Sequence, residues 1–201
     1  MAKLLFCRHG ETELNRLKRF QGRLDQPLNE AGRMQADALA AHIPRDVSRI
    51  LSSPLLRAKQ TADRLSHIAG RPVEIEHAFI ERDFGFCEGL TWPEANAIHP
   101  HLTFASALES WDSAGDGVEP IRAVVRRVAS AMSMLLDDHR DERIVVVTHG
   151  FVIVAVQWLA SSLSEDDFFT HRMIDNAQWL EVTRPAPGGN LHRANVPLRA
   201  G

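Results

Sequence analysis

The sequence has no apolar run of the ~18 residues that a membrane-spanning helix needs. Its most hydrophobic stretch, FVIVAVQWLA at residues 151–160, is interrupted by Gln157, and the N-terminal KLLFC meets Arg8 and His9 too soon to form a signal-peptide core. Positive charge is not in excess either. The 23 Lys and Arg against 26 Asp and Glu give a formal net charge of -3, leaving no broad basic field for nucleic acid or an anionic membrane. An anionic ligand would need a local cluster of cations. Cysteine is scarce: Cys7 and Cys87 are too few for a disulfide framework, so a reduced, cytoplasmic protein is expected. There is no HExxH and no aspartate-rich loop, and no metal or other cofactor is expected. Internal repeats and low-complexity segments are absent as well.

What is present is ordinary for a globular protein, with 44% hydrophobic and 24% charged residues. The 201 residues suffice for one domain over 1–201, with a candidate lid or insertion at about 85–119. Leu4 to Cys7 is continuously apolar, the pattern of a strand buried on both faces. Asn29 is placed to N-cap a helix through EAGRMQADALAAHI, with Met34, Ala38, Ala41 and Ile43 as its apolar positions. SRILSSP predicts a second strand, with Ser53 and Pro54 as N-cap and first turn of a helix that Gly70 ends. PVEIEH predicts a third strand, and residues 92–119 read as irregular.

From Ile121 the helical period is strong. Ile121, Val124, Val125, Val128, Met132, Leu135 and Leu136 share one face, opposite Arg122, Arg126, Ser130 and Ser133. RIVVVT predicts a buried β-branched strand, FVIVAVQWLA a helix, and AQWLEVTR and LHRANVP two strands around the turn PAPGGN. Strands alternating with helices imply right-handed βαβ units. The fold expected is an α/β three-layer sandwich, a mostly parallel central sheet with helices on both faces and an antiparallel C-terminal edge.

In such sheets, ligands bind beyond the carboxyl ends of the strands. Three of those ends carry related groups: Arg8 and His9 after the first strand, Arg57 after ILSSP, and His149 after IVVVT. Two guanidinium groups suit a dianionic phosphoryl group, since each donates paired hydrogen bonds and stays charged. Helix N-termini near Pro54 and Gly150 would add backbone N–H donors, and glycine at 10 and 150 would let the backbone approach a ligand closely. Two histidines invite a division of labour, one imidazole attacking phosphorus and the other donating to the transferring oxygens. A leaving alkoxide also needs a proton. Glu81 is the best-placed acid, with Glu88 its nearby competitor.

RHGET with Asn15, then QGRLDQPLNEAGRMQA, SSPLLRAKQTA, IERDFGFCEG and VVVTHG, resemble in order the signatures of the histidine phosphatase superfamily, the phosphoglycerate mutase-like group. The resemblance covers residues 4 to about 155. It implies that His9 is the phosphorylated nucleophile, that Arg8, Arg57 and His149 bind phosphate, and that Glu81 donates the proton. It further implies substrate contacts at Asn15, Gln21, Gly22, Thr12, Arg82 and Gly150, and no metal. The chain lacks room for the insertions that mutases of the group carry, so the phosphatase branch fits better. Gly117-Val118-Glu119 stands where many members have Gly-Glu-Ser.

The expected activity is metal-independent hydrolysis of small phosphate monoesters. The alternatives are a phosphoglycerate mutase-type phosphotransferase, a noncatalytic phospho-ligand binding protein, and a metal-dependent hydrolase liganded by His9 and His149. Cys7 is not a tyrosine-phosphatase nucleophile, because that loop needs arginine six residues on and position 13 is Glu13. Arg126 and Arg127 read as a solvated face or a structural ion pair, and Cys87 as a residue lining or backing the site. A small phosphorylated metabolite is the expected partner, with neither nucleic acid nor membrane, and a homodimer is compatible with the chain.

Overall fold

Four strands lie side by side as the parallel part of one sheet. They are β1 (Lys3–Arg8), β2 (Arg49–Ser52), β3 (Val73–Ile75) and β4 (Arg143–Thr148), and β5 (Trp179–Thr183) and β6 (His192–Val196) complete the order β3-β2-β4-β1-β5-β6. β5 runs antiparallel to β1, and β6 antiparallel to β5. The computed structural model describes residues 2–98, 117–139, 141–161, 164–183 and 192–196. The turn PAPGGN and residues 99–116 of the lid candidate lie outside these.

The helices between the strands are α1 (Glu13–Arg16), α2 (Glu30–His42), α3 (Leu56–Ala69), α4 (Trp92–Ile98), α5 (Ile121–Asp138) and α6 (Gly150–Leu159). β1 and β4 are buried on both faces because each face has its own helical layer. Leu4, Phe6, Ile144 and Val146 pack with α5 and α6, whereas Leu5, Cys7, Val145 and Val147 pack with α2 and α3. This is the three-layer α/β arrangement expected. The seven residues assigned to the inner face of α5 are all buried, and burying each Val or Leu contributes roughly 1.5–3 kcal/mol. Gly70 ends α3 in the left-handed conformation with φ 66°, where the absence of Cβ removes the steric cost.

Two local expectations differ from the structure. Asn29 does cap α2, its Oδ1 accepting from Gly32 N at 2.7 Å, but the buried face comprises Gly32, Ala36, Leu39 and Ala40, and Met34 is 63% exposed with Ala38 and Ala41 also outside. The rotation follows from backbone contact: a Cβ on Gly10 would stand 2.3 Å from the Gly32 carbonyl oxygen, and one on Gly32 2.0 Å from that of Glu11. Only a glycine face lets α2 come so near the loop after β1. Ser53 does not cap α3 either. Asp25 reaches its first turn instead, accepting from Leu56 N at 2.5 Å, while Ser53 Oγ accepts from Leu55 N, one residue ahead of the helix, at 3.3 Å and also meets His149.

The parallel register brings the functional strand ends together. Arg8 pairs with Thr148 and Ser52 with Val147; one residue further on, His9 N donates to the Thr148 carbonyl at 3.0 Å and Ser53 N to that of Val147 at 2.9 Å.

Candidate active site

His9 is buried at the end of β1, and its hydrogen bonds define its tautomer. Nδ1 lies 2.6 Å from the Gly10 carbonyl oxygen, an atom that can only accept, so Nδ1 carries the proton. Nε2 is left with its lone pair and accepts from Arg57 Nε at 3.2 Å. Burial holds the His9 pKa well below its usual value, and the Arg57 and Arg8 charges lower it further. The ring is a neutral base that lines the cavity, its one lone pair on Nε2 facing Arg57. Gly10, expected to clear space for a ligand, does not line the cavity; its missing Cβ accommodates Gly32 instead.

Arg57 projects from the first turn of α3 and is fully buried. Its Nη1 donates to the Leu24 carbonyl at 2.8 Å and its Nη2 to that of Gly22 at 2.7 Å. Burial brings its pKa down to about 10, which still leaves it charged at neutral pH. The Gly22 turn is held from behind by Glu88, whose Oε1 accepts from Arg23 N at 2.8 Å and Phe84 N at 3.2 Å. Gly22 has φ 51°, and a Cβ there would sit 1.9 Å from that carboxylate. Glu88 therefore braces a loop, and of the two candidate acids only Glu81 lines the cavity.

Glu81 lies between β3 and α4, where its Oε1 accepts from Arg82 N at 2.9 Å and its Oε2 from Phe151 N at 3.2 Å in the first turn of α6. Burial raises its pKa against the opposing pull of these N–H groups and of Arg57. A knot behind it holds the segment. Arg127 donates from Nη1 to the carbonyls of Ala78 and Ile80, both at 2.6 Å, and pairs with Glu119 at 3.0 Å. Arg127 is thus a structural ion pair, and Glu119 at the unusual Gly117-Val118-Glu119 is its partner.

His149 is fully buried, with its ring centroid 5.1 Å from that of His9. Its Nε2 meets Ser53 Oγ at 2.6 Å, and its buried Nδ1 has no hydrogen-bond partner among the described residues. Burial, and then the charge of Arg57, lowers its pKa well below the usual value. Arg8 reaches across to the Ile174 carbonyl at 2.7 Å.

These groups surround a cavity of about 370 Å³ lined by Arg8, His9, Asn15, Gln21, Gly22, Arg57, Glu81, Arg82 and Gly150 of the residues singled out by sequence. Thr12 and His149 stand behind its surface. Thr12 is buried and orients Asn15: Asn15 Oδ1 accepts from Thr12 N at 3.2 Å, Thr12 Oγ1 at 3.1 Å and Asn176 Nδ2 at 3.3 Å. With its oxygen so engaged, Asn15 has its amide N–H groups left to offer a ligand. Arg82 stacks over Phe151 at 4.5 Å and donates from Nε to the Glu119 carbonyl at 2.7 Å. Cys87 backs the wall from a small buried cluster with Ala95 and Val118. Asn176, which also donates to the His9 carbonyl at 2.9 Å, was missed by sequence reasoning, as was Ser53 as the partner of His149. Neither carries a local signal, although both adjoin strands that were recognised.

The sequence profile of the histidine phosphatase superfamily (branch 1) matches residues 4–197. The chain belongs to this superfamily. Phosphoglycerate mutase-like protein 4 of Arabidopsis thaliana is 38% identical over 157 residues, covering 76% of this chain and 68% of that one. Phosphoserine phosphatase 1 of Hydrogenobacter thermophilus is 33% identical over 202 residues, covering 100% of this chain and 95% of that protein. Several mycobacterial relatives at 34% identity are longer, this chain spanning 41% of their length. Among solved structures, a mycobacterial glucosyl-3-phosphoglycerate phosphatase complexed with VO3 superposes with a TM-score of 0.86 at 28% identity, covering 99% of both chains. The histidine phosphatase fold is thus shared along nearly the whole chain. Among the described residues, no helix is long and apolar enough to cross a membrane.

Proposed function

We propose that the chain hydrolyses small phosphate monoesters through a phosphohistidine on His9, with Glu81 as the proton donor. The observation that carries this reading is the hydrogen bonding of His9, whose Nδ1–H is tied to the Gly10 carbonyl and whose Nε2 lone pair lies beside Arg57. A neutral imidazole so oriented is a nucleophile. In the first step Nε2 attacks phosphorus, the bond from phosphorus to the ester oxygen breaks, and that oxygen takes the proton of the Glu81 carboxyl. In the second, a water gives its proton to Glu81 and attacks phosphorus, and the phosphorus–nitrogen bond breaks to release inorganic phosphate. Arg8, Arg57 and Asn15 stabilise charge on the transferring oxygens, with His149 acting from just behind the cavity surface, while Gln21 and Arg82 border the substrate. Gly22 and Thr12 act through the residues they hold, and Gly150 gives the substrate access beside α6.

The metal-independent form of this reading is supported by the guanidinium groups of Arg8 and Arg57, which line the cavity with His9, and by a relative named metal-independent phosphoserine phosphatase. Two free, buried cysteines suit a reducing cytoplasm. Phosphate release should persist in chelator and fall by a factor on the order of 10³ or more in His9→Ala. An acid-labile phosphoenzyme should accumulate in rapid quench of the unaltered protein and be missing from the variant. Full activity in His9→Ala would overturn the assignment.

A further inference from the structure

Beside the phosphate-binding groups the cavity has an aromatic wall. Trp92 and Phe20 have ring centroids 6.5 Å apart, Phe20 and Phe84 5.4 Å, Phe84 and Phe151 6.0 Å, and Phe151 and Phe169 6.5 Å. These five rings, with the thioether of Met173, all line the same cavity as His9. They come from the loop between α1 and α2 (Phe20), the segment ahead of α4 (Phe84), α4 itself (Trp92), the first turn of α6 (Phe151) and the short 3-10 helix Glu165–Thr170 (Phe169). No single element's core packing explains their convergence.

Exposure sharpens the point. Phe169 is 46%, Trp92 49% and Met173 58% exposed. Single exposed apolar side chains are ordinary, but three meeting at one mouth mark a binding surface. Gly150 contributes, since a Cβ there would lie 2.5 Å from Met173 Sδ, so the thioether rests against the start of α6 beside the catalytic groups. Four of the nine phenylalanines are in this arc, and the chain has no tyrosine to bring a phenolic hydroxyl to a polar substrate. A sugar or amino-acid alcohol would leave its polar groups unmatched against this wall, which is costly. At the rim, Arg19 is bound to Glu94 at 2.6 Å. Lys18, exposed and without an ion pair among the described residues, is the group there that could favour a carboxylate instead.

We propose that this site prefers phosphomonoesters whose alcohol bears a bulky apolar group, best an aromatic one. The inference rests on the phosphatase reading above. The ester oxygen faces Glu81 and the apolar body lies against Phe151, Phe169 and Met173, with Trp92 and Phe20 closing the far side.

The test compares kcat/KM for 2-phenylethyl phosphate, glycerol 3-phosphate and phosphoserine. All are primary alkyl esters, so leaving-group acidity differs little. The phenylethyl ester should be favoured by about tenfold or more, the discrimination that apolar pockets achieve. Phe169→Ala and Met173→Ala, at half-exposed positions where folding is not at stake, should each raise KM for that ester about tenfold and leave glycerol 3-phosphate within about twofold. Equal or better turnover of phosphoserine or glycerol 3-phosphate overturns the proposal, as does an equal effect of the variants on all three esters. If these esters and p-nitrophenyl phosphate are all inert, the phosphatase reading itself falls and this inference with it. If p-nitrophenyl phosphate and glycerol 3-phosphate are hydrolysed with no phenylethyl preference, only the inference falls.

Discussion

At the scale of single residues, the proposed chemistry asks for one buried imidazole that is neutral and one buried carboxyl that holds a proton more readily than an exposed one. The same burial does both, since it disfavours whichever form is charged: His9 is pushed down and Glu81 up. Both shifts suit the nucleophile and the acid of the proposed mechanism. The need for the acid depends on the leaving group, because p-nitrophenolate departs without a proton and an alkoxide does not. Glu81→Gln should therefore cost about 10²-fold or more in kcat on alkyl phosphates and below about tenfold on p-nitrophenyl phosphate. Steady-state rates on the two substrates check this; equal losses would mean that Glu81 only holds the α6 N-terminus. For the same reason, alkyl-ester turnover should fall as pH rises through the raised Glu81 pKa.

At the scale of elements, what positions His9 is close backbone contact. The loop after β1 lies against the first turn of α2 at Gly10 and Gly32, and Asn176 holds the His9 carbonyl from the β5 side. A methyl group at position 10 meets a carbonyl oxygen that cannot rotate away, so α2 or the loop must move. Gly10→Ala should destabilise by about 1–3 kcal/mol, as overpacking does, and lower kcat through displacement of His9. Urea unfolding and kinetics on the same preparation would show it. Unchanged stability and rate would mean that the contact is softer than its geometry.

At the scale of the whole molecule, burying the site makes stability depend on pH. His9 and His149 are neutral in the folded state, whereas the unfolded chain takes up a proton on each below about pH 6.5. The stability associated with these two groups is full above that pH and is lost as pH falls from it towards their lower folded values. Glu81 works the other way: its raised pKa favours the folded state at acid pH, and that contribution is lost as pH rises through it. The two histidines together give an acid destabilisation with a slope of up to about 2.7 kcal/mol per pH unit, which Glu81 opposes by up to about 1.4. In Glu81→Gln, which removes the opposing carboxyl, the urea midpoint should drop between pH 7.5 and 5.5, and the drop should be smaller when His149→Asn is added. A midpoint that rises over that interval would contradict the protonation states assigned here.

Much of this was legible in the sequence, for a physical reason. Strands buried on both faces must be apolar throughout, and long amphipathic helices must repeat every 3.6 residues, so β1, β4 and α5 announce themselves locally. Arg8, His9 and His149 were visible because charge at the end of such a strand is costly and out of place. The sequence alone thus determined the three-layer class and the pool of candidate catalytic residues. Only the tertiary structure decided among them, because the deciding contacts join residues distant in the chain. It separated Glu81 in the cavity from Glu88 behind the Gly22 turn, set the rotation of α2 by the meeting of Gly10 and Gly32, gave Asp25 the cap expected of Ser53, and gathered five rings from separate segments beside the phosphate site. No local period encodes a wall of that kind; it exists only once the sheet has brought its strand ends together.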